Sequence, residues 1–205
     1  MSELYIGVMS GTSLDAIDVS LCEIDDSTCT LLHAQEYPFE QSLKDEIIRI
    51  ISKETTLKDV GVLHTKLGTI FGDHINQFID KYNIEASTVT AIGLHGQTLW
   101  HEPENDFPFS MQLGCANVVH AKTNIQTVAD FRSMDIANGG QGAPFAPAFH
   151  EFVFHKESTK TAVVNIGGMA NITILGPTLQ GWDTGLGNVL LDYWIKQCKG
   201  FAFDK

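Results

Sequence analysis

Asp183 sits in the run Asp183-Thr184-Gly185, just ahead of a helical pattern. A carboxylate presented on a tight turn can act as a general base. The same run is also an aspartic-protease signature, and an Asp at such a place can simply cap a helix. Protease chemistry needs two carboxylates that share one proton. No second Asp-Thr-Gly or Asp-Ser-Gly occurs in the chain, so that reading requires a homodimer. Leu186 also fits it poorly, because proteases favour a small residue there.

Two glycine-rich turns offer a different chemistry. Gly11-Thr12-Ser13-Leu14-Asp15-Ala16-Ile17-Asp18 and Asn165-Ile166-Gly167-Gly168-Met169-Ala170-Asn171 each lie between strand-like runs. Such hairpin tips expose backbone N–H groups that hold phosphate oxygens. In the first, the hydroxyls of Thr12 and Ser13 can donate to phosphate, and Asp15 and Asp18 can hold a hydrated Mg²⁺. An ordinary hairpin loop is the plain alternative. No Gly-Lys-Ser/Thr occurs, which excludes a Walker loop. Gly167-Gly168 alone is ordinary turn chemistry and gains weight from the first turn. One such turn opening each half of the chain points to a nucleotide held between two related domains.

Two further clusters lie at strand ends, where α/β proteins bind ligands. In His95-Gly96-Gln97-Thr98, Gln97 and Thr98 can hydrogen-bond sugar hydroxyls; a polar strand end is the alternative. In Asp130-Phe131-Arg132, Arg132 can grip a carboxylate with two parallel bonds, or form an ion pair with Asp130 or Asp135. The eight histidines show no zinc spacing, and no metal ligand is assigned.

The elements that must position these residues follow from periodicity. Strands are expected over 4–9, 17–24 and about 28–36. A helix carries Leu43, Ile47, Ile50 and Ile51, with Ser42 as N-cap. A longer helix starts at a Thr56 cap and carries Leu57, Val60, Leu63, Leu67, Ile70, Phe71, Phe78 and Ile79; Gly61, Gly68 and Gly72 either permit close packing or break it. A strand from Val89 to Leu94, a helix over 114–123 and a strand from Ile125 to Ala129 complete the set. Three strands, helix, strand, helix, strand is the ribonuclease-H-like order, an α/β class. Asp130 to Pro147 is expected to be a long loop, with a first domain over 1–130 and a second over 131–205. The second domain restarts the strand, glycine turn, strand pattern at 161 and adds a helix with Leu190, Leu191, Trp194 and Ile195 on its apolar face. It has an opening hairpin and little else, so the chain is expected to be a fragment of a longer protein.

The composition narrows the partners. Thirteen Lys and Arg against 25 Asp and Glu give a net charge of −12, which argues against nucleic acid or an anionic membrane. No basic leader and no apolar run of membrane-spanning length is visible. Cys22, Cys29, Cys115 and Cys198 form no CxxC pair, which suits a reduced cytoplasmic compartment.

Together these residues resemble the anhydro-N-acetylmuramic acid kinases. The resemblance rests on Gly7-Val8-Met9-Ser10-Gly11-Thr12-Ser13-Leu14-Asp15 with Asp18, Gly93-Leu94-His95-Gly96-Gln97-Thr98, Ala129-Asp130-Phe131-Arg132, Gly139 to Pro144, Asn165-Ile166-Gly167-Gly168 and Asp183-Thr184-Gly185, in the family's order along nearly the whole chain. Ala16 stands where many members carry Gly, Leu186 where many carry Pro and Trp182 where many carry Phe; no functional group is lost. The resemblance implies two ribonuclease-H-like domains of the sugar kinase, Hsp70 and actin superfamily. It implies use of ATP and Mg²⁺ to phosphorylate O6 of 1,6-anhydro-N-acetylmuramic acid while water opens the anhydro bridge at C1. The product is N-acetylmuramic acid 6-phosphate, in peptidoglycan recycling. It assigns Asp183 as catalytic base, Gly11 to Asp18 (Gly11, Thr12, Ser13, Leu14, Asp15, Ala16, Ile17, Asp18) as the ATP phosphate loop, and His95, Gln97, Thr98, Asp130 and Arg132 to the sugar. Gly167 and Gly168 join the nucleotide side. The alternatives are a kinase of another amino sugar, the dimeric protease built on Asp183, and a non-catalytic actin-like binding module.

Overall fold

The structure is a computed structural model that describes residues 2–156 and 159–201. The chain forms two compact units, residues 1–140 and 141–205.

The first unit is built on a six-stranded sheet. Its strands are β1 (Glu3–Ser10), β2 (Ala16–Ile24), β3 (Cys29–Pro38), β4 (Val89–Glu102), β5 (Phe109–Leu113) and β6 (Thr127–Ala129). The order is β3-β2-β1-β4-β5, with β6 also paired to β4. β1, β2 and β3 form an antiparallel meander, while β4 runs parallel to both β1 and β6. This is the ribonuclease-H-like arrangement. Ile17, Val19 and Leu21 are buried while Asp18 between them faces out, as the period of two requires.

Helices α1 (Gln41–Ser52) and α2 (Leu57–Tyr82) supply the cover. Leu63, Leu67, Phe71, Ile75 and Phe78 repeat at helical spacing and share one core with Ile6, Val8, Ile17, Val19, Ile92 and Leu94. Each fully buried side chain of this kind contributes about 1.5–3 kcal/mol. Thr56 starts α2 with a reciprocal capping box: it accepts from the Asp59 N–H, and Asp59 accepts from the Thr56 N–H. Gly68 permits close packing against α3 (Ala116–Thr123), since a Cβ there would stand 2.8 Å from the Cys115 backbone. Ser42 is not the cap of α1: that place falls to Glu40, with no side-chain bond, and Ser42 lies inside the first turn.

The expected loop from 130 to 147 is helical at both ends, with 138–145 left as the connection. The two helices are α4 (Phe131–Ala137) and α5 (Ala146–Phe154). Asp130, at φ 65°, turns the chain into α4, and Pro147 sits in the first turn of α5, where its missing N–H costs nothing. α4 belongs to the first unit, where the Ser133 hydroxyl donates to the Ser110 carbonyl at 3.4 Å.

In the second unit, β7 (Thr161–Ile166), β8 (Met169–Leu175) and β9 (Gln180–Leu186) form an antiparallel meander, followed by α6 (Asn188–Lys199). Asp183-Thr184-Gly185 therefore lies within a strand rather than on a turn. Pairing with β8 overrides a segment whose glycines and mixed polarity hide the strand pattern.

Candidate functional site

The β1–β2 turn is held from within. Leu14 takes φ 56° and is buried, and its N–H donates to the Gly11 carbonyl at 3.2 Å. The Phe39 N–H donates to the Asp15 carbonyl at 3.3 Å, tying the turn to the end of β3. Thr12 and Ser13 are left exposed at the tip. Leu14 and Ile17 point into the core, so they can meet a ligand only through backbone, and Ala16 to Asp18 already belong to β2. Asp18 lies opposite Glu36, and its carboxyl is pushed above the ordinary range by burial first, then by Glu36 and Asp15. Among the described residues no three His, Cys, Asp or Glu side chains converge on a metal. The hydroxyls and carboxylates of this turn suit a triphosphate whose divalent cation keeps its waters.

The second cluster depends on an irregularity of β4. Val8 pairs with Leu94 but Met9 pairs with Gly96, so His95 is an extra residue, a β-bulge. Gly96 is at φ 77°, and a Cβ there would lie 2.6 Å from the Leu113 carbonyl oxygen, so the position requires glycine. His95 Nδ1 is 2.8 Å from the Gly96 carbonyl and its Nε2 is 3.0 Å from Arg132 Nε on α4. Burial holds the His95 pKa below the ordinary imidazole value; the Gly96 carbonyl opposes this shift and the Arg132 charge adds to it. Beyond the bulge, Gln97 is only 1% exposed and lies opposite Ser10 on the core side. Its Nε2 donates to the Thr98 carbonyl at 3.2 Å, while its Oε1 is buried without a protein partner. Thr98 faces Gln112 across the β4–β5 pair, and Gln112 Nε2 donates to the Ser110 hydroxyl at 2.7 Å. The Gln112 Oε1 is a second buried oxygen without a partner. Asp130 is exposed at the start of α4.

Ser110 and Gln112 escaped the sequence reading because β5 did. Its alternation, Phe109-Ser110-Met111-Gln112-Leu113 ahead of Gly114, was the signal that could have found both.

In the second unit Asp183 is exposed on β9, directly opposite Asn171 of β8. Thr184 is the extra residue of another bulge, and its hydroxyl donates to the Ala170 carbonyl at 3.1 Å. The Asn171 Oδ1 is buried without a protein partner on the face Asp183 shares. The Gly167 and Gly168 carbonyls accept from the N–H groups of Asn188 and Gly187, each at 2.9 Å, which pins the start of α6 to the β7–β8 tip. Thus the structure brings His95 to Arg132 and Thr98 to Gln112 in the first unit, and Asp183 to Asn171 in the second.

Residues 3–205 match the family described as anhydro-N-acetylmuramic acid kinase. The chain is 57% identical over 205 residues to a protein of that name from Sulfurimonas denitrificans, covering 100% of this chain and 56% of the relative. It is 52% identical to the one from Sulfurovum sp., covering 99% of this chain and 56% of the relative. It is 48% identical to that of Pasteurella multocida, covering 98% of this chain and 54% of the relative. The chain spans about half the length of the curated relatives it matches. Among solved structures it is similar to that described as the Aquifex aeolicus PPX-GPPA enzyme, with a TM-score of 0.45 and 9% identity, covering 95% of this chain and 56% of that one. By a match that runs from residue 3 to residue 205, the chain belongs to the anhydro-N-acetylmuramic acid kinase family.

Proposed function

We propose that the protein is an ATP-dependent kinase of 1,6-anhydro-N-acetylmuramic acid, opening the anhydro ring and phosphorylating O6 to give N-acetylmuramic acid 6-phosphate and ADP. The observation that carries the reading is the family match over 3–205, which includes every residue assigned a role below. The reaction serves recycling of cell-wall sugars in the cytoplasm. No helix among the described residues is long and apolar enough to cross a membrane.

ATP with Mg²⁺ supplies the phosphoryl group. Thr12 and Ser13 donate hydrogen bonds to phosphate oxygens, with backbone from Gly11 to Asp18 around them, and Gly167 and Gly168 are assigned to the nucleotide. Asp15 and Asp18 would hold a divalent cation through its waters. The bridging oxygen is a poor nucleophile until its bond to C1 breaks, so water must attack C1 as O6 accepts the phosphoryl group. Asp183 accepts the proton of that water, a role worth about 10²–10⁴-fold. Arg132 grips the lactyl carboxylate, and Gln97, Thr98 and Asp130 hydrogen-bond the sugar, with His95 beside Arg132.

The test is ADP release by the full-length protein with Mg²⁺-ATP, with and without the anhydro sugar. Release that depends on this sugar supports the reading. Release only with another amino sugar transfers the reading to that substrate, and no sugar-dependent release overturns it.

A further inference from the structure

We infer that His95 acts on the sugar through Arg132 rather than by touching it: the bulge in β4 presents the neutral Nδ1–H tautomer of His95, whose Nε2 accepts from Arg132 Nε and sets the direction of the guanidinium. This rests on the kinase reading for its kinetic consequence, though not for its geometry.

The tautomer follows from the partners. A carbonyl oxygen only accepts, so the 2.8 Å contact from Nδ1 to the Gly96 carbonyl requires the proton on Nδ1. Nε2 then keeps its lone pair, and the guanidinium Nε–H of Arg132, which only donates, fills it at 3.0 Å. One protonation state satisfies both bonds. An imidazolium would turn a donor toward a donor, and the other tautomer would set a lone pair against the carbonyl. The shift of the His95 pKa below the ordinary value by burial keeps the ring in the required neutral form at neutral pH.

The bond engages Arg132 at Nε, the nitrogen nearest the stem. A constraint there fixes the plane of the guanidinium, which is what two-pronged recognition of a carboxylate depends on. The architecture is arranged around this contact. His95 is the residue added to the β1–β4 ladder, and its neighbour Gly96 takes a left-handed conformation with no room for a side chain. From the other side, Asp130 at φ 65° starts α4 and so directs Arg132 back toward β4. Phe131, between them, lies 3.8 Å from where a Cβ on Gly93 would stand, which seats α4 on β4. Three backbone specialisations therefore converge on one side-chain pair. A histidine that merely touched the sugar would need none of them to face Arg132.

Because the carboxylate is present before and during reaction, losing its grip weakens substrate and transition state alike and raises KM. In the full-length protein, His95→Ala is expected to raise KM for 1,6-anhydro-N-acetylmuramic acid roughly 10–100-fold, the range of one charge-assisted bond, with kcat changed by less than about threefold. His95→Gln, which keeps an acceptor oxygen, should recover most of the loss. With 1,6-anhydro-N-acetylglucosamine, which lacks the lactyl acid, His95→Ala should leave KM as in the wild type. Equal losses with both sugars, or no recovery in His95→Gln, would overturn the proposal. Long-range ¹H–¹⁵N NMR of the wild-type imidazole supplies a test free of turnover and of variant folding. A protonated Nδ1 with an unprotonated Nε2 is expected, and the reverse tautomer refutes the pairing. Should neither sugar promote ADP release, the kinase reading fails while the NMR result still decides the pairing.

Discussion

In the first unit, the residues assigned to phosphate and sugar lie on the sheet, on its β1–β2 turn and on α4, and the sheet's inner face is closed by α2, with Leu63, Leu67, Phe71, Ile75 and Phe78 all buried. In the second unit, Asp183 stands on a three-stranded meander beside helices that keep much of their apolar surface in solvent. Leu190, Leu191 and Trp194 of α6 are 56%, 62% and 68% exposed, and Phe149, Phe152 and Phe154 of α5 are exposed as well. Arg132 donates a hydrogen bond to a half-buried imidazole, whereas the Asp183 carboxylate is exposed. The difference teaches that the two halves of the proposed chemistry have separate sources of order. The proposed binding residues of the first unit are carried by a finished core, and the proposed base is carried by strand pairing next to the bonds from the α6 start to Gly167 and Gly168.

The sharpest way to break that contrast is at Asp183. In the full-length protein, Asp183→Asn should lower sugar-dependent ADP release by about 10²–10⁴-fold. Its stability in urea should change by less than about 0.5 kcal/mol, because the side chain is exposed. A loss below tenfold would remove Asp183 from the base role. Next in size is Phe71→Ala, expected to cost about 3–5 kcal/mol by the same urea titration. Leu191→Ala in the 205-residue chain should cost under about 0.5 kcal/mol. Similar costs for the two would show that the second unit has a core of its own. Thr56→Ala removes one arm of the α2 capping box and should cost about 1 kcal/mol in thermal unfolding; no change would detach the first unit's order from that cap.

The smallest effect concerns Asp18. Its folded pKa is raised, by burial first and then by Glu36 and Asp15, so the folded chain holds this proton more tightly than the unfolded chain does. The favourable term is present below the unfolded value of 3.8 and is lost as pH rises through the folded pKa. At pH 7, Asp18→Asn should therefore stabilise the protein by roughly 0.3 kcal/mol, screened by solvent, while weakening Mg²⁺-ATP. Measured destabilisation would mean that the carboxylate has a favourable partner in the fold.

Much of the first unit was legible because its signals are local. Ile17, Val19 and Leu21 alternate, α2 repeats its leucines and phenylalanines every three or four residues, and Thr56 announces its own cap. What escaped depends on distant partners. β5 and β9 are strands because β4 and β8 offer them edges, and α4 begins where Asp130 turns left-handed. The types and places of the candidate site residues were named from the chain. The bond between His95 and Arg132 could not, since it spans 37 positions and needs a bulge that no pattern around Gly96 reveals.

That bulge has a consequence for how the sequence can change. Val8 already pairs with Leu94, Met9 with Gly96 and Ser10 with Gln97, so the ladder is complete without His95. A single-codon deletion at this position would let the strand close up with every later pair intact and Gln97 still opposite Ser10. Most insertions or deletions in a central strand re-register everything downstream. Here the histidine is a removable tooth: a lineage could gain or lose it in one step, and with it the bracing of Arg132, while the sheet around it kept its register.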